Sequence, residues 1–438
     1  MKEPLFPSEK VFALLKGKAE AADLYQTAGE SYPIVFKAGK IKSAESNLSC
    51  GAGLRVIVNG KVGFASTNSP NGLESLITRA LKSASFGEKA DYAMPPQPQN
   101  DFTRPETWFS DVAELSQDYK INAGQKAIAM IAESAPDVNI ELEVENSVSS
   151  FSIANTSGLS LSGESTAYSF GFNLLSVDSN GLLWISDGNS SAKLDIRDEA
   201  LIRKSLFLLE KAKKVTATPK PEVILMEPSV VGTLASGFLA AINGKTVLKG
   251  VSPLSKRIGE TITDSSFSLI EDPLLSGRPG SFPFDDEGTF RSRKALIDRG
   301  VLKQFVYDME TASKAGTVST GNGERSYASL PSPGFSNLLI PPGSIPTRKI
   351  LRDIKNGIWI HSVLGAGQSN MLAGDFSLNA HLAYRIENGE ITGRIKDTMI
   401  SGNIYETFNR ITAISSDVND SSHHHFPAMA FAGITVTG

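Results

Sequence analysis

Zinc-dependent hydrolysis needs three protein ligands around an open fourth position, and two of the ligands are commonly histidines one helical turn apart. Five histidines are available here, His361, His381, His423, His424 and His425, and no two stand at i, i+4. His361 and His381 fall in strand-like contexts and read as structural. The run "SSHHHFP" holds the other three. Adjacent side chains on extended backbone point to opposite faces, so the triplet reads as a loop with adventitious metal affinity rather than a three-ligand site. Carboxylates cluster in "FDDEG" (284–288) and "AGDFS" (373–377). Paired acids can move protons, but such clusters also serve as turn residues that accept backbone N–H bonds, and that reading is preferred. No Gly-x-Ser-x-Gly elbow occurs, and the single cysteine, Cys50, has no base beside it in sequence. The glycine-rich loops "VSTGNGERS" (318–326) and "VLGAGQSN" (363–370) could offer N–H groups to an anion or a peptide carbonyl. Neither leads into a helical pattern, so a phosphate-binding P-loop is not supported.

The stretch "PSVVGTLASGFLAAINGK" (228–245) poses the reverse problem. Ser229 is a good N-cap after Pro228. Val230, Leu234, Phe238 and Ile242 recur along one stripe, and Asn243-Gly244 is a stop signal. Yet Gly232 and Gly237 each cost about 1 kcal/mol relative to Ala inside a helix. Nothing from Val230 to Ile242 ionises, and Thr233 and Ser236 are its only polar side chains. On physical grounds alone this is a buried core helix whose glycines admit neighbouring backbone.

Stepping outward, residues 8–26 read as a helix capped at Ser8, with Phe12, Leu14 and Leu15 inward. Residues 31–67 read as a strand meander with a hairpin at Asn59-Gly60, and residues 70–86 as a helix. The patternless "MPPQPQND" (94–101) reads as a linker. A helix at 110–135, strands after residue 138 and a helix at 197–214 follow, and the breaker "TATPKPE" (216–222) marks the main boundary. Beyond it, short strands alternate with Gly/Pro turns, including a hairpin at Asn388-Gly389, which suggests a barrel or sandwich. The expected class is α+β: an N-terminal part of antiparallel or mixed sheets with helices, then a β-rich barrel- or sandwich-like domain. The expected units are an α+β subdomain at 1–93, a linker at 94–109, a second α+β subdomain at 110–215, and the β-rich domain at 222–438.

The 438 residues are too many for one ordinary core. A net charge of -4, with no Lys/Arg run longer than two, gives no reason to expect nucleic acid. One cysteine excludes an internal disulfide and fits a reducing, cytoplasmic compartment. No signal peptide is read at the N-terminus, and no uncharged apolar stretch reaches membrane-spanning length, so no membrane partner is expected.

Three stretches taken together resemble the TldD/PmbA family: "GLRVIVNGKVGFAST" (53–67), "PFDDEGTFRSRKALIDRGVLKQFVYDMETASKAGTVSTGN" (283–322) and "LAGDFSLNAHLAYRIENGEITGRIKDTMISGN" (372–403). The similarity is to the PmbA branch, also called TldE and formerly modulator of DNA gyrase, and it covers nearly the whole chain in order. The resemblance implies a two-part α+β protein. It also implies a heteromeric cytoplasmic metalloprotease of TldD and TldE acting on unfolded or extended peptides, including a peptide-antibiotic precursor and an antitoxin. In TldD-like members a helix carries His-Glu-x-x-x-His, which supplies zinc ligands and a general base, and a cysteine in the C-terminal half is thought to complete the site. Placed ungapped on this chain, that motif falls on Ser236-Gly237 and Ala241, and the C-terminal half has no cysteine. The resemblance therefore implies a non-catalytic subunit with no cofactor of its own. Zinc is expected in a TldD-like partner, and a homodimer is possible when the chain is isolated.

Extended peptides bind by adding to sheet edges, with pockets sorting side chains. The loops "STGNGERS", "PGFSNLL" and "AGDFS" could line such a groove, with Asn322, Arg325, Asn337, Asp375 and Phe376 as candidate contacts. Two other readings stay open. One is a self-sufficient hydrolase that brings Asp285, Asp286 and Glu287 to His361 or His381. The other is a regulator of gyrase or DNA, which the acidic charge disfavours.

Overall fold

The computed structural model describes residues 4–98, 102–178, 181–194, 197–421 and 424–438. The chain is α+β, as the sequence suggests. Its first half contains α1 (Ser8–Leu15), β1 (Ala21–Ser31), β2 (Ile34–Lys37), β3 (Lys40–Ala44), β4 (Asn47–Val58), β5 (Lys61–Thr67) and α2 (Leu73–Ser83). It continues with α3 (Ser110–Ala113), α4 (Gln117–Ser134), β6 (Asn139–Asn155), β7 (Ser160–Asp178), β8 (Gly181–Ser191) and α5 (Asp198–Ala212). One sheet holds all eight strands in the order β3-β2-β6-β1-β4-β5, with β7 on β6 and β8 on β7. The regions 1–93 and 110–215 therefore share a single sheet through the long strand β6.

Alternation builds this sheet. Ile140, Leu142 and Val144 of β6 are buried while Glu141 and Glu143 face solvent, the pattern of a half-buried antiparallel strand. The apolar face is covered by α4 and α5, and Phe36 packs so closely on α4 that a Cβ on Gly124 would lie 2.2 Å from its ring. The other half of the sheet buries Leu24, Leu54 and Val56 against Leu73, Leu76 and Ile77 of α2.

The helix expected at 8–26 is corrected: it ends at Leu15, and Ala21–Ser31 is a strand. Gly17 at φ +75 breaks the helix. The next residues then pair on both sides, with β4 and β6, so ladder pairing overrides local helical pattern. Pro7, not Ser8, holds the N-cap position, and Leu14 is exposed.

The second half continues with β9 (Val223–Met226), α6 (Pro228–Ile242), β10 (Leu269–Glu271), β11 (Lys294–Asp298), β12 (Val301–Leu302), β13 (Gly323–Glu324), β14 (Ser332–Pro333) and β15 (Leu338–Leu339). It closes with β16 (Asn356–Leu364), β17 (Asp375–Glu387), β18 (Glu390–Ile395), β19 (Met399–Asn403), β20 (Ile411–Ser421), β21 (His424–Ala432) and β22 (Thr435–Thr437). Twelve of these strands form one sheet whose main path runs from β12 to β22. The short pair β13–β14 stands apart. Among the described residues the path does not close, so of the expected barrel- or sandwich-like forms the sandwich-like one holds, an open sheet packed on both faces. Leu225 and Trp359 face α5 and the first sheet, whereas Ile224, Met226, Ile358 and Ile360 face α6. From one side to the other the layers are first sheet, α4 and α5, second sheet, α6.

A core helix and an interdomain cleft

Helix α6 ends where its pattern predicts but begins two residues earlier, at Pro228, and Val230, Leu234, Phe238 and Ile242 are all buried. Glu227 holds the N-cap position in place of the expected Ser229. Asn243 ends the helix and caps the next one, its side chain accepting from the Lys245 N–H at 3.0 Å. The three positions on which the resemblance would place the zinc motif do not converge on one point. Ser236 faces out, and its hydroxyl donates to the Thr233 carbonyl at 2.6 Å. Ala241 lies in the core. Gly237 is roofed by other backbone: a Cβ there would sit 2.6 Å from the Met371 carbonyl oxygen and 2.4 Å from Ile404 Cδ1.

Two of the three loops proposed as a groove meet each other, joined by the acidic run rather than by "AGDFS", no residue of which lines the cavity they form. "STGNGERS", "PGFSNLL" and "FDDEG" come together against β6 and β7, around a cavity of ≈ 570 Å³ whose walls include Phe151, Phe282, Phe284, Phe335, Glu324 and Arg325. Several of the expected contacts are corrected here. Asn322 is buried and saturated: its amide donates to both Glu271 carboxylate oxygens and to the Gly334 carbonyl, while its oxygen accepts from Lys294 Nζ and the Thr320 hydroxyl. Asn337 is also buried and donates to the Asp272 carbonyl and to Ser281 Oγ. Asn322 braces its loop with both ends of its side chain, whereas Asn337 does so through its amide nitrogen alone, its Oδ1 having no partner among the described residues. Phe376 packs in the core on the α6 side of the second sheet. Asp375 is exposed and accepts from Asn403 Nδ2 at 2.9 Å. Of the five, only Arg325 lines the cavity.

The acidic run "FDDEG" is a turn and an interdomain clamp. Asp285 accepts from the N–H groups of Glu287, Thr289 and Gly323 at 2.8–3.0 Å. Burial, and then the Glu287 charge, push its carboxyl up to about 7. Glu287 accepts from Arg55 Nη1 at 2.7 Å and from the Met309 N–H at 2.8 Å; burial raises its carboxyl, although Arg55 opposes the shift. Asp286 accepts from the Tyr25 hydroxyl and from the Arg325 N–H. Arg55 reaches Asp23 through Nε and Nη2, and Arg325 reaches the other oxygen of Asp23 at 3.0 Å. Burial alone would raise Asp23, but Arg325 and Arg55 outweigh it and hold its carboxyl below the usual range. Asp23 and Arg55 are framework residues of the cleft that a motif search passes over. Their signal is a charge set at an inward position of an apolar strand, in "AADLY" and "GLRVIV".

The constellation of the hidden-hydrolase reading does not assemble. His361 sits on β16 beside Glu227, which accepts from Lys204 Nζ at 2.6 Å and from Trp359 Nε1 at 2.9 Å. His381 packs tilted against Trp184, with ring centroids 4.4 Å apart, and its Nε2 meets the Trp184 carbonyl. His423 lies outside the described residues. His424 stacks on Phe426, and His425 Nδ1 lies 3.1 Å from Arg278 Nη2. Among the described residues no three His, Cys, Asp or Glu side chains cluster as a metal site would require.

Comparison with known proteins places this architecture. A family model described as the PmbA/TldA metallopeptidase C-terminal domain matches residues 220–438, half of the chain, and one for PmbA/TldA metallopeptidase domain 1 matches residues 22–84. A metalloprotease of Methanothermobacter thermautotrophicus is 27% identical over 416 residues, spanning 92% of this chain and 89% of its own. A metalloprotease of Methanocaldococcus jannaschii is 25% identical over 430 residues, spanning 93% and 92%. The crystal structure of TldE from Thermococcus kodakarensis superposes with a TM-score of 0.90 at 22% identity, covering 98% of this chain and all of that one. The fold is shared along the whole length, and the chain belongs to the PmbA/TldD metallopeptidase family.

Proposed function

We propose that this chain is a non-catalytic subunit of the TldE type, which assembles with a TldD-like subunit and helps hold extended peptides for proteolysis. The family's description as metallopeptidases implies a metal, and the residues on α6 do not fit one. The observation that carries the reading is the surroundings of Gly237. Serine and alanine replace the histidines of the motif, and the space a glutamate would need is taken by the Met371 carbonyl and Ile404. The helix is built as a packing element, its glycine admitting the covering segment, and the zinc chemistry is assigned to the partner. The reducing compartment suggested by the lone, exposed Cys50 agrees with a cytoplasmic assembly.

The reading is tested by mixing tag-free chain with the TldD-like subunit from the same source and measuring mass by light scattering. A stoichiometric heteromeric species is expected, with zinc following the TldD-like subunit. Two folded proteins that stay separate at micromolar concentration would remove the reading.

A further inference from the structure

The interdomain cavity contains a buried cation that is only half used. Arg325 has a side chain 1% exposed, and its Nη1 donates to Asp23. Its Nε and Nη2 are buried and have no hydrogen-bond partner among the described residues. These two nitrogens form the side-on edge of the guanidinium, whose parallel N–H bonds match the two oxygens of a carboxylate. An unpaired donor in a buried place is costly, so a half-satisfied fork beside a cavity is a reason to look for the missing acceptor.

The neighbouring anions do not supply it. Asp23 divides one charge between Arg325 and Arg55. Asp286 accepts from the Arg325 backbone N–H and from Tyr25, so it meets Arg325 through main chain rather than through the fork. The Tyr25 ring covers one face of the guanidinium, with Cζ 4.7 Å from the ring centroid. The cavity wall is aromatic: Phe282 packs edge-on against Phe151 and Phe284, each at 4.5 Å between centroids, and Phe335 completes it. Glu324, on the same wall, is pushed up to about 7 by burial, with Arg291 opposing. Near neutral pH it can therefore donate a proton to a second carboxylate.

Resting on the peptide-binding reading above, the geometry points to a receptor for a free peptide C-terminus, in which the Arg325 edge takes the terminal carboxylate and the phenylalanine wall takes the last side chain. The ligand class is a peptide ending in an aromatic or large aliphatic residue. Because both free nitrogens are closed to solvent, binding requires the wall to give way locally.

The experiment uses the full-length chain without its partner. A short, N-terminally fluorescent peptide ending in Phe is titrated by anisotropy as the free acid and as the carboxamide, beside the free acid ending in Gly. The acid ending in Phe is expected to bind ~10-fold tighter than the amide, because only the acid presents two charged oxygens to the fork. Arg325→Lys keeps the charge, loses the fork, and is expected to remove the difference. Equal binding of acid and amide, no binding of either, or a preference that survives Arg325→Lys would each overturn the inference. Should Arg325→Lys fail to fold, the wild-type acid–amide comparison still decides, and Phe335→Ala is expected to abolish the preference for Phe over Gly. If the acid preference is missing while the heteromer still forms, this inference fails and the subunit reading stands. If the preference holds and no heteromer forms, the reverse is true.

Discussion

His361 shows how one side chain records its surroundings. It is 8% exposed, its Nε2 has no partner among the described residues, and burial pushes the imidazole down to about 4 against the pull of Glu227. Between pH 6.5 and 4 the unfolded chain therefore binds a proton that the folded chain refuses. The stability contribution is whole above pH 6.5 and is lost as pH falls toward 4, by on the order of 3 kcal/mol. Asp285 acts in the opposite sense: raised to about 7, it holds a proton in the folded state that an unfolded aspartate releases, so its effect favours the fold as pH falls from 7 toward 4. Only a difference isolates the histidine. His361→Gln is expected to narrow its stability gap to wild type between pH 7 and pH 4.5, read from urea unfolding; a constant gap would refute the assignment. Gly237 offers a second test at this scale. Gly237→Glu drives a side chain into the Met371 carbonyl and Ile404, with an expected cost of about 1–3 kcal/mol. Adding Ser236→His and Ala241→His rebuilds the motif in sequence and should not yield stoichiometric zinc, since position 241 lies in the core and position 236 faces solvent.

At the scale of elements, the turns were plain in the sequence and the interdomain contacts were not. Asn59-Gly60 and Asn388-Gly389 form the hairpins their residues announce, all four at positive φ. A Cβ on Gly60 meets nothing within 4 Å, whereas one on Gly389 lies 2.4 Å from the Arg352 carbonyl oxygen. Gly60→Ala should therefore cost about 1–2 kcal/mol from the left-handed backbone alone, and Gly389→Ala distinctly more. Thermal melts of the two variants compare them, and equal losses would contradict the packing at Gly389. Helix α6 was legible because its stripe is local. The strand at 21–31 was not, because its partners lie at 47–57 and 147–155. The same holds of the cavity: Arg325 could be named as a candidate from its loop, but its tie to Asp23 spans 302 positions. Asn322 and Phe376 carry groups suited to a ligand, and only the fold shows those groups already spent on the protein itself; Asn337 spends its amide nitrogen in the same way, while its Oδ1 has no partner among the described residues.

At the scale of the whole molecule, the two halves are joined by buried charge. Arg55 stands between Asp23 of the first sheet and Glu287 of the second half, with all three side chains at most 2% exposed. Removing one member of such a set leaves uncompensated charge and costs about 3–5 kcal/mol. Arg55→Met should lower the urea midpoint accordingly, and a change within error would show that the clamp contributes little. The same clamp holds Arg325 and the aromatic wall in place, so the cavity depends on the union of the halves rather than on either alone. Around α6 the molecule is closed in a complementary way, with the Met371 carbonyl and Ile404 lying over Gly237. The proposed role is that this chain completes a protease without performing the chemistry. It is tested most directly by hydrolysis of an unstructured peptide mixture, with tag-free chain alone, with the TldD-like subunit alone, and with both together. Cleavage confined to the mixture is the predicted result; cleavage by this chain alone would contradict the account.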